Sequence, residues 1–328
     1  MTTSSSLLTP SAMPSSAPFP AKCPTPVPAP LPAPLPTQLL TQLPIPLVSH
    51  EVAVFDSSEN RAADPNGPVT TQDWLAAEVP VALVFNGISH AVMMATPQDL
   101  ELFALGFALS EGIVKTSGEV RGVDVTLADA QLANLPLGMA AIEVNVEISS
   151  RSFEQLKNHR RTLAGRTGCG VCGVESLAAL DLASPPAAWQ EWLSRVDAPT
   201  VLQAFAQLAP LQVLNAKSGA LHAAAWAGLD GNVLHAFEDV GRHNALDKLI
   251  GSLAKTDQLN SPGFVILSSR ASHELVRKCA RVGIAAMATI SAPTSMAVKM
   301  AELGGIRLWG LCRAPRAVLY CGGGDFSS

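Results

Sequence analysis

The sequence predicts an α/β protein behind a disordered proline-rich tail: α+β in its first half, a layered α/β domain in its second. Three observations lead there. Residues 1–46 hold 13 of the 25 prolines, in runs such as "VPAPLPAPLP". "VPVALVFNGISHAVMMAT" places an Asn86-Gly87 pair between two apolar runs, a strong short-range hairpin signal. From "GFVILSS" onward, strand-like and helix-like segments alternate in the rhythm of crossover units on a shared sheet.

Taken in order, the tail favours extended polyproline conformations and cannot build a core. Order is expected to begin near "LVSHEVAVF". After the hairpin, "TPQDLELFALGFALSEGIV" reads as a helix. Thr96 is its expected N-cap and Pro97 fits the first turn, while Leu100, Phe103, Leu105 and Phe107 supply apolar surface. "AAIEVNVEIS" alternates like a half-buried strand. "GRHNALDKLIGSLA" is a predicted helix, and in "EDVGRHNALDK" Asp239, Arg242, His243 and Asp247 lie three or four apart, so that on a helix they share a face. That face either borders a ligand pocket or forms a helix-start network in which Asp239 caps and Arg242 pairs with a carboxylate. Glu238 and Lys248 read as structural. Then come the strand "GFVILSS", the helix "SHELVRKCARVG" closed by Gly283, the strand "IAAMATIS", the helix "SMAVKMAELGG" and the strand "IRLWGLC". The expected division is a tail at 1–46, an α+β part at 47–175 and an α/β domain at 176–328. Ligands of such sheets sit beyond the carboxyl ends of the strands, which puts "SSRAS", "SAPTS" and "LCRAPR" on one rim.

The formal net charge is −5, so the molecule as a whole is no nucleic-acid binder. From Ile266 onward, however, eight Lys/Arg stand against three Asp/Glu, which suits a compact anionic ligand or a merely solvated surface. Six scattered cysteines are too few for a secreted disulfide scaffold. The first basic residue is Lys22, and no apolar run approaches the roughly 20 residues that span a bilayer. A cytoplasmic protein with no membrane partner is expected.

The chemistry concentrates in "GRTGCGVCGVESL", residues 165–177, where Cys169 and Cys172 form a CxxC. A structural zinc needs four ligands, and there is no second pair; no metal is expected. A zinc deaminase needs His-x-Glu ahead of Pro-Cys-x-x-Cys. None of His50, His90 and His159 has Glu two places on, and Gly168 stands where the proline belongs. A dithiol–disulfide oxidoreductase fits the pair itself, but the preceding "SRSFEQLKNHRRTLAGRTG" is polar and basic where such enzymes have a buried strand. A sulfur relay also fits. It needs reach, which Gly165, Gly168, Gly170 and Gly173 supply, and a stabilised thiolate, which Arg160, Arg161 and Arg166 favour. On chemistry alone, relay and redox stand level.

Five blocks taken together resemble the FdhD family of formate dehydrogenase accessory proteins: "VPVALVFNGISHAVMMATPQDLELFALGFALSEGI", "GRTGCGVCGVES", "FEDVGRHNALDKLIG", "SSRASHELVRKCARVGI" and "SAPTSMAVKMAEL". The resemblance runs from about residue 50 to 320. It implies a sulfur carrier with a cytidine-deaminase-like fold that lacks the deaminase zinc residues. It implies that sulfur comes from an IscS-type cysteine desulfurase and goes to the molybdenum bis-guanine-dinucleotide cofactor before that cofactor enters formate dehydrogenase. The persulfide would sit on Cys169, with Cys172 as second cysteine. The cofactor-binding stretch would be Leu311, Cys312, Arg313, Ala314, Pro315 and Arg316, and a homodimer is implied.

Physical chemistry agrees with the last assignment. Arg313 and Arg316 offer permanently charged forks for pyrophosphate oxygens. Ser268, Ser269, Arg270, Thr294 and Ser295 stand on the same expected rim and can add hydroxyls and helix-start N–H groups. A cofactor-binding chaperone without sulfur chemistry is the remaining alternative. It requires function to survive loss of both cysteines.

Overall fold

The computed structural model describes residues 43–54, 69–128, 139–161 and 190–322. Residues 1–42 of the proline-rich tail and the CxxC segment therefore lie outside the described residues. An outlying ribbon comes first, β1 (Leu47–Val54) paired antiparallel with β2 (Val69–Ala76). β3 (Val79–Phe85) and β4 (Ile88–Ala95) form the expected hairpin. Its turn needs two positive φ angles, and Asn86 (45°) and Gly87 (79°) supply them. Helix α1 (Leu100–Ser110), β5 (Val120–Leu127) and β6 (Ile142–Ile148) complete a four-stranded sheet in the order β4-β3-β6-β5. Helix α2 (Ser150–Arg161) follows.

The second half opens with α3 (Ala198–Leu211) and a short α4 (Asn215–Ser218). Then come β7 (His222–Ala227), β8 (Val233–Asp239), α5 (Arg242–Lys255), β9 (Phe264–Leu267), α6 (His273–Arg281), β10 (Ala286–Thr289), α7 (Ser295–Gly304), β11 (Arg307–Arg313) and β12 (Arg316–Gly322). Six strands pair in the order β12-β11-β10-β9-β7-β8, with β9, β10 and β11 parallel and the others antiparallel to their neighbours. The mixed α/β class and the strand–helix alternation are as the sequence predicts.

Alternation along the six-stranded sheet separates two cores. Trp226, Val265, Leu267, Met287 and Leu308 face α5, α6 and α7, and join a cluster that continues through α1 into the four-stranded sheet. Ala225, Phe264, Ile266, Ala288 and Trp309 face the other way, against Val201, Ala204 and Leu208 of α3. Helix α1 is therefore sandwiched, which explains why eight of its eleven residues are buried.

Two expectations are corrected. Thr96 is not the N-cap: α1 begins at Leu100 behind Asp99, whose φ is 54° and whose side chain makes no capping bond. Thr96 is instead buried in a nonlocal network. Its amide donates to Asp239 Oδ2 (3.1 Å), its hydroxyl accepts from the Val240 amide (3.2 Å) and its carbonyl accepts from Lys248 Nζ (3.2 Å). A buried carboxylate and ammonium must find partners, and that demand outranks a local cap. Asp239 ends β8 and so shares no helix face with Arg242, His243 and Asp247, which do lie in α5.

The tightest approach in the fold is between α1 and α5. A Cβ on Gly106 would overlap the carbonyl of Asp247, and one on Gly251 would overlap the carbonyl of Leu102. Glycine inside a helix ordinarily costs about 0.5–1 kcal/mol relative to alanine. Here the sign should reverse. Gly106→Ala and Gly251→Ala are expected to lower stability by about 3 kcal/mol or more in urea denaturation, because backbone must move to admit the methyl. Gly87→Ala meets open space and pays only for its positive φ, so about 1–2 kcal/mol is expected there.

Candidate functional site

Because β9, β10 and β11 are parallel, Leu267, Thr289 and Arg313 end on one rim, with β7 beginning beside them. Backbone groups already use several hydroxyls there. Ser268 Oγ accepts from the Ala223 amide (2.8 Å), Ser269 Oγ donates to the Arg270 carbonyl (3.1 Å), and Thr294 caps α7 by accepting from the Ala297 amide (3.3 Å). Arg270 and Ser295 are exposed.

The stretch Leu311–Arg316 is the end of β11 and its turn into β12. Arg313 and Arg316 are a cross-strand pair at that turn, and Ala314 and Pro315 connect them; all four are exposed. Two like charges held opposite each other are unfavourable unless an anion comes between them. Neither arginine makes an ion pair among the described residues. Leu311 is half-buried, with φ 53° and its amide bonded to the Ser291 carbonyl (3.2 Å). Cys312 faces the core instead, and burial pushes its thiol up to about 12.

The neighbouring part of the rim was only partly visible in the sequence. β7 opens with His222, α5 with Arg242 and His243, and α6 with His273 and Glu274. Burial lowers the His222 pKa, and the nearby Arg242 and His243 lower it further. Glu274 lies between two histidines: His243 Nε2 is 3.4 Å from its Oε2 and His273 Nε2 is 3.9 Å from its Oε1. The Ser272 hydroxyl also donates to it (2.9 Å). The His243 contact, working against burial and helped by Ser272, holds the Glu274 carboxyl at about 2. Sequence reasoning missed His273 and Glu274. Their only signal is the serine-to-glutamate spacing at the start of α6.

Beneath the rim lie two buried ionic clusters. Lys248 and Asp239, both with wholly buried side chains, are paired at 2.7 Å. Asp239 also accepts from the Gly241 amide (2.8 Å) and Asn244 Nδ2 (2.9 Å), which is the helix-start network that the sequence suggests. Arg242 is not part of it: its Nε is buried without a hydrogen-bond partner among the described residues. In the second cluster, Lys278 Nζ contacts Asp247 (2.8 Å), Glu111 (2.9 Å) and Ser110 Oγ (2.9 Å), and Arg277 pairs with Glu111 (3.0 Å). Burial works against the Glu111 carboxylate, but Lys278 and Arg277 outweigh it and hold the group at about 2. Burial also works against the Lys278 ammonium, and Asp247 and Glu111 outweigh it, so that pKa rises. Glu238 is structural, accepting from the Leu214 (2.9 Å) and Asn215 (2.8 Å) amides.

The model of the FdhD/NarQ family matches residues 76–326, more than three-quarters of the chain. The chain belongs to the FdhD/NarQ family. Among its relatives in that family, a protein from Chromobacterium violaceum is 54% identical over 250 residues, covering 76% of this chain and 89% of its own. One from Burkholderia mallei is 52% identical over 251 residues, with the same coverages. Both are named sulfur carrier protein FdhD. A crystal structure from Desulfotalea psychrophila, described as a formate dehydrogenase accessory protein, has the same fold. It superposes with a TM-score of 0.59 at 20% identity, covering 85% of this chain and 97% of that one.

The FdhD/NarQ match contains Cys169, Cys172, Cys279, Cys312 and Cys321. The last three are buried and outside any disulfide. Burial pushes the Cys279 thiol, like that of Cys312, up to about 12. Cys169 and Cys172 lie outside the described residues. Among the described residues no cluster of His, Cys, Asp and Glu could hold a metal ion, and no helix is long and apolar enough to cross a membrane.

Glu111 and Glu274 make a pH prediction. Each has a folded-state pKa of about 2 against an ordinary 4.5, so between those values the unfolded chain binds more protons. Their contribution should be complete above pH 4.5 and lost as pH falls toward 2. Denaturant titrations across that window should show a steep acid limb, shallower in Glu111→Gln and in Glu274→Gln. An unchanged slope in both variants would contradict the assignment.

Proposed function

We propose that this chain is a cytoplasmic sulfur carrier for the maturation of formate dehydrogenase, with the persulfide on Cys169. The observation that carries the reading is the sorting of its thiols. Within the family match, three cysteines are buried, and the thiols of two of these are held near 12, where almost no thiolate exists at neutral pH. Sulfur transfer needs an accessible thiolate, which favours the CxxC pair over these buried thiols. The names of the 52–54% identical relatives support the same role.

The chemistry balances without a metal. The Cys169 thiolate attacks the outer sulfur of a persulfide on an IscS-type cysteine desulfurase. A new S–S bond forms on Cys169, the donor's S–S bond breaks, and the donor leaves as a thiolate. The Cys172 thiolate then attacks Cys169 Sγ, expelling hydrosulfide and leaving a Cys169–Cys172 disulfide. The two electrons that reduce the carried sulfur come from the pair, so a thiol reductant must restore it before the next cycle. The acceptor in this reading is the molybdenum bis-guanine-dinucleotide cofactor. Its pyrophosphates match the exposed Arg313/Arg316 pair, which lacks an ion partner among the described residues.

Cells expressing Cys169→Ala as their sole copy should mature no active formate dehydrogenase, while the purified variant keeps wild-type stability. Normal maturation by that variant would remove the carrier role and favour the cofactor chaperone. The double variant Arg313→Ala/Arg316→Ala should bind the cofactor at least about tenfold more weakly, since a charged hydrogen bond contributes roughly 1.5–3 kcal/mol.

A further inference from the structure

A small cavity of about 10 Å³, room for one water-sized sphere, lies between α1, α5 and α6. Glu111, Glu274, His243 and Arg277 are among its polar lining groups. Arg277 is 8% exposed and donates through Nη2 to Glu111 (3.0 Å), but its Nε–H is buried with no partner among the described residues. Glu111 and Glu274 are both ionised at neutral pH, so the two carboxylates cannot bond each other. Glu274 Oε2 accepts from the Ser272 hydroxyl, and its Oε1 has no donor nearer than His273 at 3.9 Å; His243 Nε2, 3.4 Å from Oε2, is itself buried without a hydrogen-bond partner among the described residues. Residues with two unpartnered buried nitrogens, Arg277 Nε and His243 Nε2, and two carboxylates therefore line a space of single-molecule size.

We infer that this cavity is a binding site for one internal water, which accepts from Arg277 Nε–H and donates one hydrogen to Glu111 and one to Glu274. Three hydrogen bonds is the usual complement of a buried water. An anion is disfavoured by the two carboxylates, and anything larger is excluded by the volume. The consequence is connection. The water joins the Ser272–Glu274 pair on the rim to the Glu111–Lys278–Asp247 cluster below, making one hydrogen-bonded chain of two otherwise separate ones. A change at the rim is then felt at the C-terminal end of α1.

Two measurements on the whole protein test this. A high-resolution crystal structure should show a density peak within about 3.2 Å of Arg277 Nε and of a carboxylate oxygen from each glutamate. A cavity without that peak, or Arg277 Nε bonded directly to a carboxylate, would overturn the site. In a double-mutant cycle, Glu111→Gln and Glu274→Gln should change the unfolding constant non-additively, by about threefold or more. The non-additivity should vanish in an Arg277→Lys background, which keeps a positive charge but loses the Nε–H. Independent effects in the wild-type background would contradict the bridge. Neither readout involves sulfur transfer, so the outcome is separate from that of the carrier proposal.

Discussion

The close crossing of α1 and α5 sets the position of almost everything else. Without side chains at Gly106 and Gly251, each helix meets the other's backbone. That separation lets Ser110, at the end of α1, donate to Asp247 in α5 at 2.6 Å. Lys278 of α6 then fits between them, and Arg277 beside it reaches Glu111. The same contact ties the four-stranded sheet, which α1 covers, to the six-stranded sheet, which α5 covers. Were the helices held apart by even two methyl groups, the ion pairs below the rim would lengthen and their desolvation would go uncompensated.

Burial therefore has opposite consequences in two parts of the molecule. Lys248, Lys278, Asp239 and Asp247 are buried as charges because each is paired at under 3 Å and hydrogen-bonded besides. Such clusters contribute little net stability relative to apolar packing, but breaking one partner leaves a charge with nowhere to go, so they fix register. Cys279 and Cys312 are buried with no cation strong enough to sustain a thiolate, and they remain protonated. The fold thereby keeps nucleophilic sulfur out of its interior and leaves Arg313 and Arg316 exposed at the end of a strand.

Local signals were legible and nonlocal ones were not. Asn86-Gly87 announced its hairpin because the turn demands positive φ angles that few residue pairs supply. The β9–α6–β10–α7–β11 run was readable because each helix ends at a glycine or just before one and each strand is a short apolar run. β7, β8 and β12 escaped notice: their alanines and mixed residues gain strand character only from neighbours in the sheet. Thr96 looked like a cap, and was claimed by Asp239 and Lys248 more than 140 residues away. His273 and Glu274 belong to the rim only because α6 starts beside α5, a fact of packing with no pattern of its own in the sequence. The family blocks, by contrast, were recognisable as a set, and the match over residues 76–326 agrees with them.

At the centre of this account is a sulfur atom held on one thiol. Incubating the full chain with a cysteine desulfurase and isotopically labelled cysteine, then sequencing its peptides by mass spectrometry, reads that directly. One labelled sulfur is expected on the Cys169 peptide, removable by a thiol reductant, and none on the peptides of Cys279, Cys312 or Cys321. A Cys169–Cys172 disulfide that forms equally well without desulfurase, with no added sulfur anywhere, would contradict it.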